Sequence, residues 1–129
     1  IENHKPIPRT SLEKEFVEKL AFVACRTAME RHAGDLIDIY STSGRKKVAR
    51  GKDLTAIKYI VGTGGVLTKL PGRIDILKNV INESNGTKLL PHKDAKILID
   101  NHYIMASAGV MSKTHPDDSM EFIKQSLRI

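Results

Sequence analysis

The chain contains the stretch Ala56-Ile57-Lys58-Tyr59-Ile60-Val61-Gly62-Thr63-Gly64-Gly65-Val66-Leu67-Thr68, an apolar run that ends on a cluster of glycines. Its residues 57–61 are β-branched or aromatic with one lysine, which is typical of a buried strand. The residues after Gly65 suit a helix, so the glycines are predicted at a strand-to-helix turn. Such glycines tolerate positive φ and let a ligand approach the backbone, while the following helix offers N–H groups to an anion. A plain tight turn would use the same glycines, because the pattern matches neither common phosphate-binding motif.

Length and composition indicate one folded domain with an aliphatic core. The chain has 129 residues, 5% aromatic residues and no tryptophan. That length suffices to bury about two-thirds of the unfolded surface. No apolar run approaches the roughly 20 residues of a membrane span, and the N-terminus lacks a secretion signal pattern. The single cysteine, Cys25, cannot form an internal disulfide. We therefore expect a cytoplasmic protein without a membrane partner.

The net charge of +6 raises the question of an acidic partner. The densest basic cluster spans residues 45–52 on a predicted hairpin, and its members are Arg45, Lys46, Lys47, Arg50 and Lys52. No aromatic residue is interleaved to stack on a base, so nucleic-acid binding is not expected. Lysines on an edge strand also discourage pairing between molecules. The cluster is therefore interpreted as a solvated edge, with docking of an acidic protein partner as the alternative.

The N-terminal third predicts a lead-in, a long helix and a hairpin. Residues 1–9 lack periodicity and are interpreted as an extended lead-in or linker. Thr10 and Glu13 form a capping-box pattern, and helical spacing continues to about His32. The apolar residues 20–25 predict a buried helix centre. Two short strands around a turn at residues 41–44 then predict a peripheral β-hairpin.

The rest of the chain alternates further helices and strands. Helices are predicted after the glycines to about residue 70 and from about residue 74 to residue 83, followed by a strand at residues 95–99. The small-residue segment 103–111 predicts a tightly packed helix. The last helix begins near Pro116 and is predicted to bury an apolar face made of Met120, Phe122, Ile123 and Leu127. The order predicts an α/β fold with a mixed, mainly parallel sheet and packed helices.

Catalytic and metal-binding signatures are not found in the sequence. The five histidines are scattered without metal-ligand spacing, at His4, His32, His92, His102 and His115. Asp100 and His102 are neighbours on a predicted strand-to-helix loop, where capping and hydration are the expected roles. No nucleophile, base or metal ligand is assigned, so an autonomous enzyme is not expected.

Two separated segments carry a family resemblance. The segment Ile60-Val61-Gly62-Thr63-Gly64-Gly65-Val66-Leu67-Thr68 resembles the adenosine motif of the actin-like ATPase superfamily, which includes actin, the seventy-kilodalton heat-shock proteins and sugar kinases. Ala106-Ser107-Ala108-Gly109-Val110 resembles its second connecting motif. More narrowly, residues 50–55, 58–67 and 99–110 are similar to the C-terminal part of the glutamate mutase accessory proteins called MutL, which are unrelated to the mismatch-repair protein of that name.

The resemblance implies a fold, a function and site residues. Residues 10–129 would form the C-terminal lobe of an actin-like, ribonuclease H-like ATPase. The implied function is ATP-dependent reactivation of an adenosylcobalamin-dependent glutamate mutase, with a domain movement that releases damaged corrinoid. Ala108 and Gly109 would pack at the hinge. The implied adenosine-binding residues are Gly62, Thr63, Gly64 and Gly65 beneath the nucleoside and Val66 beside the base.

One departure from the superfamily pattern limits these implications. The superfamily binds phosphate and metal through DxG-type hairpins, and this sequence contains none. The chain also begins at Ile1, so we expect it to be the end of a larger protein. ATP with Mg would then be bound by the full-length protein, and this chain alone should hold nucleotide weakly or not at all and hydrolyse none. A sugar- or acid-kinase lobe of the same superfamily is the alternative.

Overall fold

The computed structural model describes residues 7–82 and 86–129, which form an α/β arrangement. The lead-in prediction for residues 1–6 lies outside the described residues. The described elements, in chain order, are α1 (Ser11–His32), β1 (Asp35–Ser41), β2 (Gly44–Arg50), β3 (Tyr59–Gly62), α2 (Gly65–Lys69), α3 (Arg73–Asn82), β4 (Lys96–Ile99), α4 (Met105–Met111) and α5 (Pro116–Leu127). The α/β class is confirmed, and each predicted element has a counterpart within a few residues.

The strands form two separate sheets of two strands each. β1 and β2 pair antiparallel as a hairpin, and β3 and β4 pair parallel. The peripheral hairpin is confirmed, but the prediction of one mixed, mainly parallel sheet is wrong for the described residues. The outer edge of β1 is occupied instead by residues 87–88, because Leu36 N donates to Thr87 O at 2.8 Å and Asp35 bridges to Lys88. This edge of β1 is therefore paired with a loop segment rather than with β3 or β4.

Helix α1 begins as the sequence predicts but is covered on one side only. Thr10 Oγ1 accepts from Glu13 N at 3.1 Å, and the Glu13 carboxylate accepts from Thr10 N at 3.1 Å, so the capping box is confirmed. The predicted buried centre is wrong, since Leu20 and Val23 are 51% and 52% exposed. The helix packs on α2 and α3 and has no fully buried residue. Among the described helices, α1 included, none has both the length and the hydropathy needed to cross a bilayer.

The core is aliphatic, as predicted, and is centred on α3. Four residues of this helix at helical spacing are buried against the parallel strands, namely Ile76, Leu77, Val80 and Ile81. Helix α3 packs on β4, whose last two residues, Leu98 and Ile99, are also buried. A second cluster of Ala33, Leu54 and Leu90 lies beneath the hairpin. The last residue of β3, Gly62, and the end of β4 thus lie against the buried face of α3.

The two C-terminal helices pack differently from the prediction. In α4 only Ala108 is buried, and a Cβ added at Gly109 would meet no neighbouring atom within 4 Å. The expected close approach at Gly109 is therefore absent from the described part of the chain. Helix α5 begins with Pro116, as predicted, and buries Leu127, but Met120 and Phe122 are 53% and 47% exposed.

Two serines replace those apolar residues on the inner face of α5. Ser119 and Ser126 are each 1% exposed. Ser119 Oγ donates to the carbonyl oxygen of Ala108 at 2.6 Å, which joins α5 to α4. A buried hydroxyl is tolerated when it is hydrogen-bonded, so polar contacts orient this helix together with the buried Leu127.

Candidate functional site

The candidate site lies where the parallel strands end. Gly62 of β3 is paired in register with Ile99 of β4, so the carboxyl ends of the two strands meet at one edge. Asp100 follows β4 directly, and α2 begins three residues after β3. Ligands of open α/β sheets bind outside the carboxyl ends of the strands. The predicted adenosine turn is therefore at the edge where a ligand is expected.

Gly62 belongs to the core rather than to an exposed surface. The residue is buried, and a Cβ added there would lie 2.8 Å from Leu77 Cδ1 and 3.0 Å from Ile99 Cδ1. Its missing side chain allows α3 and β4 to pack closely against β3. The surface available to a ligand consequently begins after Gly62.

Gly64 and Gly65 present an open backbone. A Cβ added at either residue would meet nothing within 4 Å. Gly64 has a φ of 95°, a conformation that side chains rarely adopt, and its carbonyl oxygen accepts from Thr68 N at 2.9 Å. The backbone of the turn is thus held by a hydrogen bond to α2, while the space beside Gly64 and Gly65 is open to a ligand.

A cavity of about 300 Å³ adjoins this open backbone, between α1 and α2. Val66, which the resemblance places beside the base, lines it together with Gly65. Gly62, Thr63 and Gly64 do not line it. The complete lining is Ile7, Pro8, Val17, Gly65, Val66, Lys69 and Leu70. The cavity is therefore mainly apolar, with one basic side chain and a strip of glycine backbone.

Asp100 holds the glycine turn through hydrogen bonds with Thr63 and Thr68. The residue is 1% exposed, and its side chain joins the start of α4 to the glycine turn and the end of α5, which lie 37 and 26 positions away. The carboxylate accepts from Thr63 Oγ1 at 2.9 Å, Ser126 Oγ at 2.5 Å, Met105 N at 2.9 Å and Ile104 N at 3.2 Å. The backbone of Asp100 also accepts from Thr68 Oγ1 at 3.0 Å and donates to Gly62 O at 2.9 Å. The glycine turn, the start of α4 and the end of α5 are joined through this one residue.

The hydrogen bonds keep Asp100 ionised. Burial alone would raise the pKa of its carboxyl, but the bonds from Ser126, Met105, Ile104 and Thr63 outweigh burial and lower the pKa from 3.8 to about 2. The negative charge also lies at the N-terminus of α4, where a helix favours an anion. The predicted capping role of Asp100 is confirmed by its bonds from Ile104 N and Met105 N, but its predicted hydration is wrong, since the residue is 1% exposed. Its neighbour His102 contributes a backbone N–H, which donates to Ser126 Oγ at 3.0 Å.

The groups that this edge offers to a ligand do not include the carboxylate of Asp100. Both carboxylate oxygens of Asp100 are occupied by protein donors, so this residue does not offer a base to a ligand. Across residues 7–82 and 86–129, no three His, Cys, Asp or Glu side chains are grouped to hold a metal ion. The edge offers open backbone and an apolar cavity.

Sequence reasoning misses two parts of this site. Ser126 has no role among the sequence-based predictions, although Ser119 and Ser126 are seven residues apart on the face of α5 that also holds Ile123 and Leu127. Hydroxyls at that spacing on an apolar face are a signal of a buried polar contact. Val17 carries no signal beyond its place in a helix, and only the packing of α1 on α2 brings it to the cavity.

Comparisons with known proteins agree on one family. The family model described as "MutL protein" matches residues 1–127. "Protein MutL" of Clostridium tetanomorphum is 35% identical over 128 residues, which cover 98% of this chain and 27% of that relative. The chain therefore spans about a quarter of the length of this relative. No solved structure matches the chain.

Proposed function

We propose, from the premise that the chain belongs to the MutL family, that it is the adenosine-binding part of an ATP-dependent accessory protein for an adenosylcobalamin-dependent glutamate mutase. Family membership supports the link to the mutase. The geometry at the carboxyl edge of the parallel strands supports the nucleoside site. In this proposal the full-length protein is a chaperone that reactivates a mutase whose cofactor has been damaged.

The cavity beside Gly65 is the observation that carries the nucleoside site. Its volume of about 300 Å³ lies at the lower end of the range of small-ligand pockets, roughly 300–1,000 Å³. Apolar side chains of Val17, Val66 and Leu70 suit the faces of a flat base. The open backbone of Gly64 and Gly65 lets the sugar lie close to the turn, because no Cβ stands in the way. The actin-like lobe is part of the same proposal.

Phosphate and magnesium contacts are assigned in this proposal to other parts of the full-length protein. The carboxylate nearest the turn, Asp100, is fully engaged by protein donors and would not ligate Mg. ATP bound by the full-length protein would thus have its nucleoside on this chain and its phosphates elsewhere. The chain alone is expected to bind ATP weakly or not at all and to hydrolyse none.

ATP affinity of the full-length protein tests the nucleoside site, with Gly64→Leu as the variant and Gly44→Leu as the control. The two glycines have φ values of 95° and 104°, and a Cβ added at either would meet open space. The backbone strain of substitution is therefore matched, while Gly44 lies at the tip of the hairpin. Gly64→Leu should weaken ATP binding at least about tenfold, and Gly44→Leu less than about twofold. Equal affinities for the two variants would refute the site.

A separate measurement tests the mutase. The full-length protein with ATP should restore activity to a glutamate mutase inactivated by cofactor damage, and Gly64→Leu should remove this effect. If ATP binds normally but no activity returns, the mutase assignment is wrong and the nucleoside site stands. Turnover of ATP by the isolated chain above that of a Gly65→Asp variant would contradict the division of the site.

Two competing functions remain testable. A sugar- or acid-kinase lobe predicts phosphoryl transfer to a small acceptor, which a screen with the full-length protein would detect. The basic hairpin as a docking site for an acidic partner is favoured by the exposure of Lys46, Lys47 and Arg50, which have no ion-pair partner within the described residues. That hypothesis explains the basic cluster but leaves the cavity at the glycine turn without a role.

A further inference from the structure

Two cavities adjoin at the amino edge of the parallel strands, opposite the glycine turn. The first, of about 320 Å³, lies between α3 and the start of β4, and its lining is Ile74, Lys78, Ile81, Asn82, Lys93, Ala95, Lys96 and Ile97. The second, of about 280 Å³, is lined by Ile81, Asn82, Leu90, Pro91, His92 and Lys93. The cavities adjoin because Ile81, Asn82 and Lys93 line both, and we call the pair the lysine groove.

The rim of the lysine groove carries three lysines. Lys78, Lys93 and Lys96 are exposed, and the described part of the chain gives none of them an ion-pair partner. The carboxylate of Asp94, in the same turn as Lys93, lies 3.0 Å from His92 Nδ1 and within 4 Å of none of the three lysine ammonium groups. Clustered lysines beside low-dielectric walls raise the positive potential of a cleft. The groove is therefore complementary to an anionic partner.

The floor of the lysine groove is apolar. Ile81 and Leu90 are buried, Ile97 is half-buried and Ile74 is 42% exposed. A site with an apolar floor and a cationic rim suits a segment in which apolar and acidic residues alternate. Two adjoining cavities in an open groove also fit an extended segment better than a compact small anion.

We propose that the lysine groove docks an acidic segment of a partner protein. Apolar side chains of the segment enter the two cavities, and its carboxylates pair with Lys78, Lys93 and Lys96. The groove lies at the strand edge opposite the proposed nucleoside site, so this docking requires no bound ATP. Exposed ion pairs are individually weak and are screened by salt, so the complex should be salt-sensitive.

A synthetic peptide of alternating glutamate and leucine, labelled with a fluorophore, provides the probe. Its binding to the full-length protein is measured by fluorescence anisotropy. The test variant combines Lys78→Glu and Lys96→Glu, and the control combines Lys46→Glu and Lys47→Glu on the hairpin. Both variants change the net charge equally and alter exposed residues. The groove variant should weaken binding at least about tenfold and the hairpin variant less than about twofold.

Two further measurements distinguish the contribution of ion pairs with the lysines from that of apolar packing in the cavities. Raising the salt from about 0.1 M to about 1 M shortens the screening length from about 10 Å to about 3 Å and should weaken peptide binding to the unaltered protein. The groove variant should show a smaller salt response. A peptide of alternating glutamate and glycine, which has no side chains for the cavities, should bind less tightly than the leucine peptide.

Three results would overturn the proposal. Equal losses in the two variants would mean that net charge, not the groove, attracts the peptide. A larger loss in the hairpin variant would assign docking to residues 45–52. Displacement of the peptide by inorganic phosphate at constant ionic strength would identify a small-anion site. ATP affinity is measured on the same variants and should not change, so failure of docking is distinguishable from failure of the nucleoside site.

Discussion

The two edges of the parallel strand pair use charge in opposite ways. At the carboxyl edge, Asp100 is buried and accepts four hydrogen bonds from the turn, α4 and α5. At the amino edge, Lys78, Lys93 and Lys96 are exposed and lack ion-pair partners among the described residues. A buried, satisfied charge organises a structure, whereas an exposed, unpaired charge is available to a partner. Substitutions should accordingly cost stability at the first edge and binding at the second.

Removal of the Asp100 carboxylate should have the largest effect on stability. Asp100→Ala leaves Thr63 Oγ1, Ser126 Oγ and two backbone N–H groups of α4 without their acceptor. Only the Ser126 bond is fully buried, whereas those from Thr63, Ile104 and Met105 are part-buried, where water partly replaces the lost acceptor. A buried donor left unpaired costs about 1–3 kcal/mol, so a loss of about 2–4 kcal/mol in the free energy of unfolding is expected for the four bonds together. Urea denaturation measures it.

The control for this substitution is Asp53→Ala. Asp53 Oδ1 also accepts two hydrogen bonds, from Thr55 N at 2.9 Å and Thr55 Oγ1 at 2.6 Å, but the residue is exposed. Water replaces the protein acceptor there, so the loss should be much smaller. Similar losses at Asp53 and Asp100 would show that burial does not distinguish the carboxyl edge.

Acid should weaken the same edge. The pKa of Asp100 is lowered to about 2 in the folded protein and returns to an ordinary value near 3.8 on unfolding. A lowered folded pKa contributes stability that is present above about pH 4 and is lost as the pH falls toward 2. The contribution is about 2 kcal/mol. Urea unfolding at pH 2 to pH 5 should show a steeper loss for the native chain than for Asp100→Asn, and parallel pH profiles would contradict this role.

Alanine substitutions at two glycines of the turn should change the free energy of unfolding in opposite directions. Gly62→Ala places a Cβ 2.8 Å from Leu77 Cδ1 and should destabilise the fold by about 1–3 kcal/mol through overpacking. Gly65→Ala places a Cβ in open space at the start of α2 and should stabilise the fold by about 0.4–1 kcal/mol, since alanine restricts the unfolded chain. Thermal and urea unfolding of both variants measures the difference. Equal losses of stability in the two variants would contradict the difference in packing between Gly62 and Gly65.

Local elements of this fold follow from short-range chemistry. The capping box at Thr10 and Glu13, the hairpin turn and the start of α5 at Pro116 each depend on residues within four positions of one another. Such signals are complete in the sequence, so the predicted bounds of these elements lie close to the observed ones. The glycine turn belongs to the same class, because a φ of 95° at Gly64 requires glycine wherever the chain leads next.

Long-range features require the structure. An apolar pattern indicates that α1 has apolar sides, but it does not indicate that Leu20 and Val23 remain exposed while another side packs on α3. The edge of β1 is paired through the contact of Leu36 with Thr87, more than fifty positions away, which no local pattern indicates. Pairing across such separations depends on loop closure and packing rather than on local propensity.

The candidate site also has one part that the sequence predicts and another part that only the structure shows. Gly65 and Val66 belong to a continuous motif, and both line the cavity. Its opposite wall, Val17, comes from a helix almost fifty residues earlier. The support from Ser126 comes from a residue that is separated from Asp100 by 26 positions. A motif identifies one wall of a site, whereas tertiary packing supplies the others.

The smallest effect on stability is expected at the amino edge. Lys78→Ala combined with Lys96→Ala should change the free energy of unfolding by less than about 0.5 kcal/mol, because both side chains are exposed and lack ion-pair partners in the described chain. Removing like charges from one groove should also relieve some repulsion. Urea denaturation with Lys46→Ala and Lys47→Ala as the control measures this. A loss above about 1 kcal/mol would show that the lysine stems cover the isoleucines of the groove, and then the amino edge would be structural rather than available to a partner.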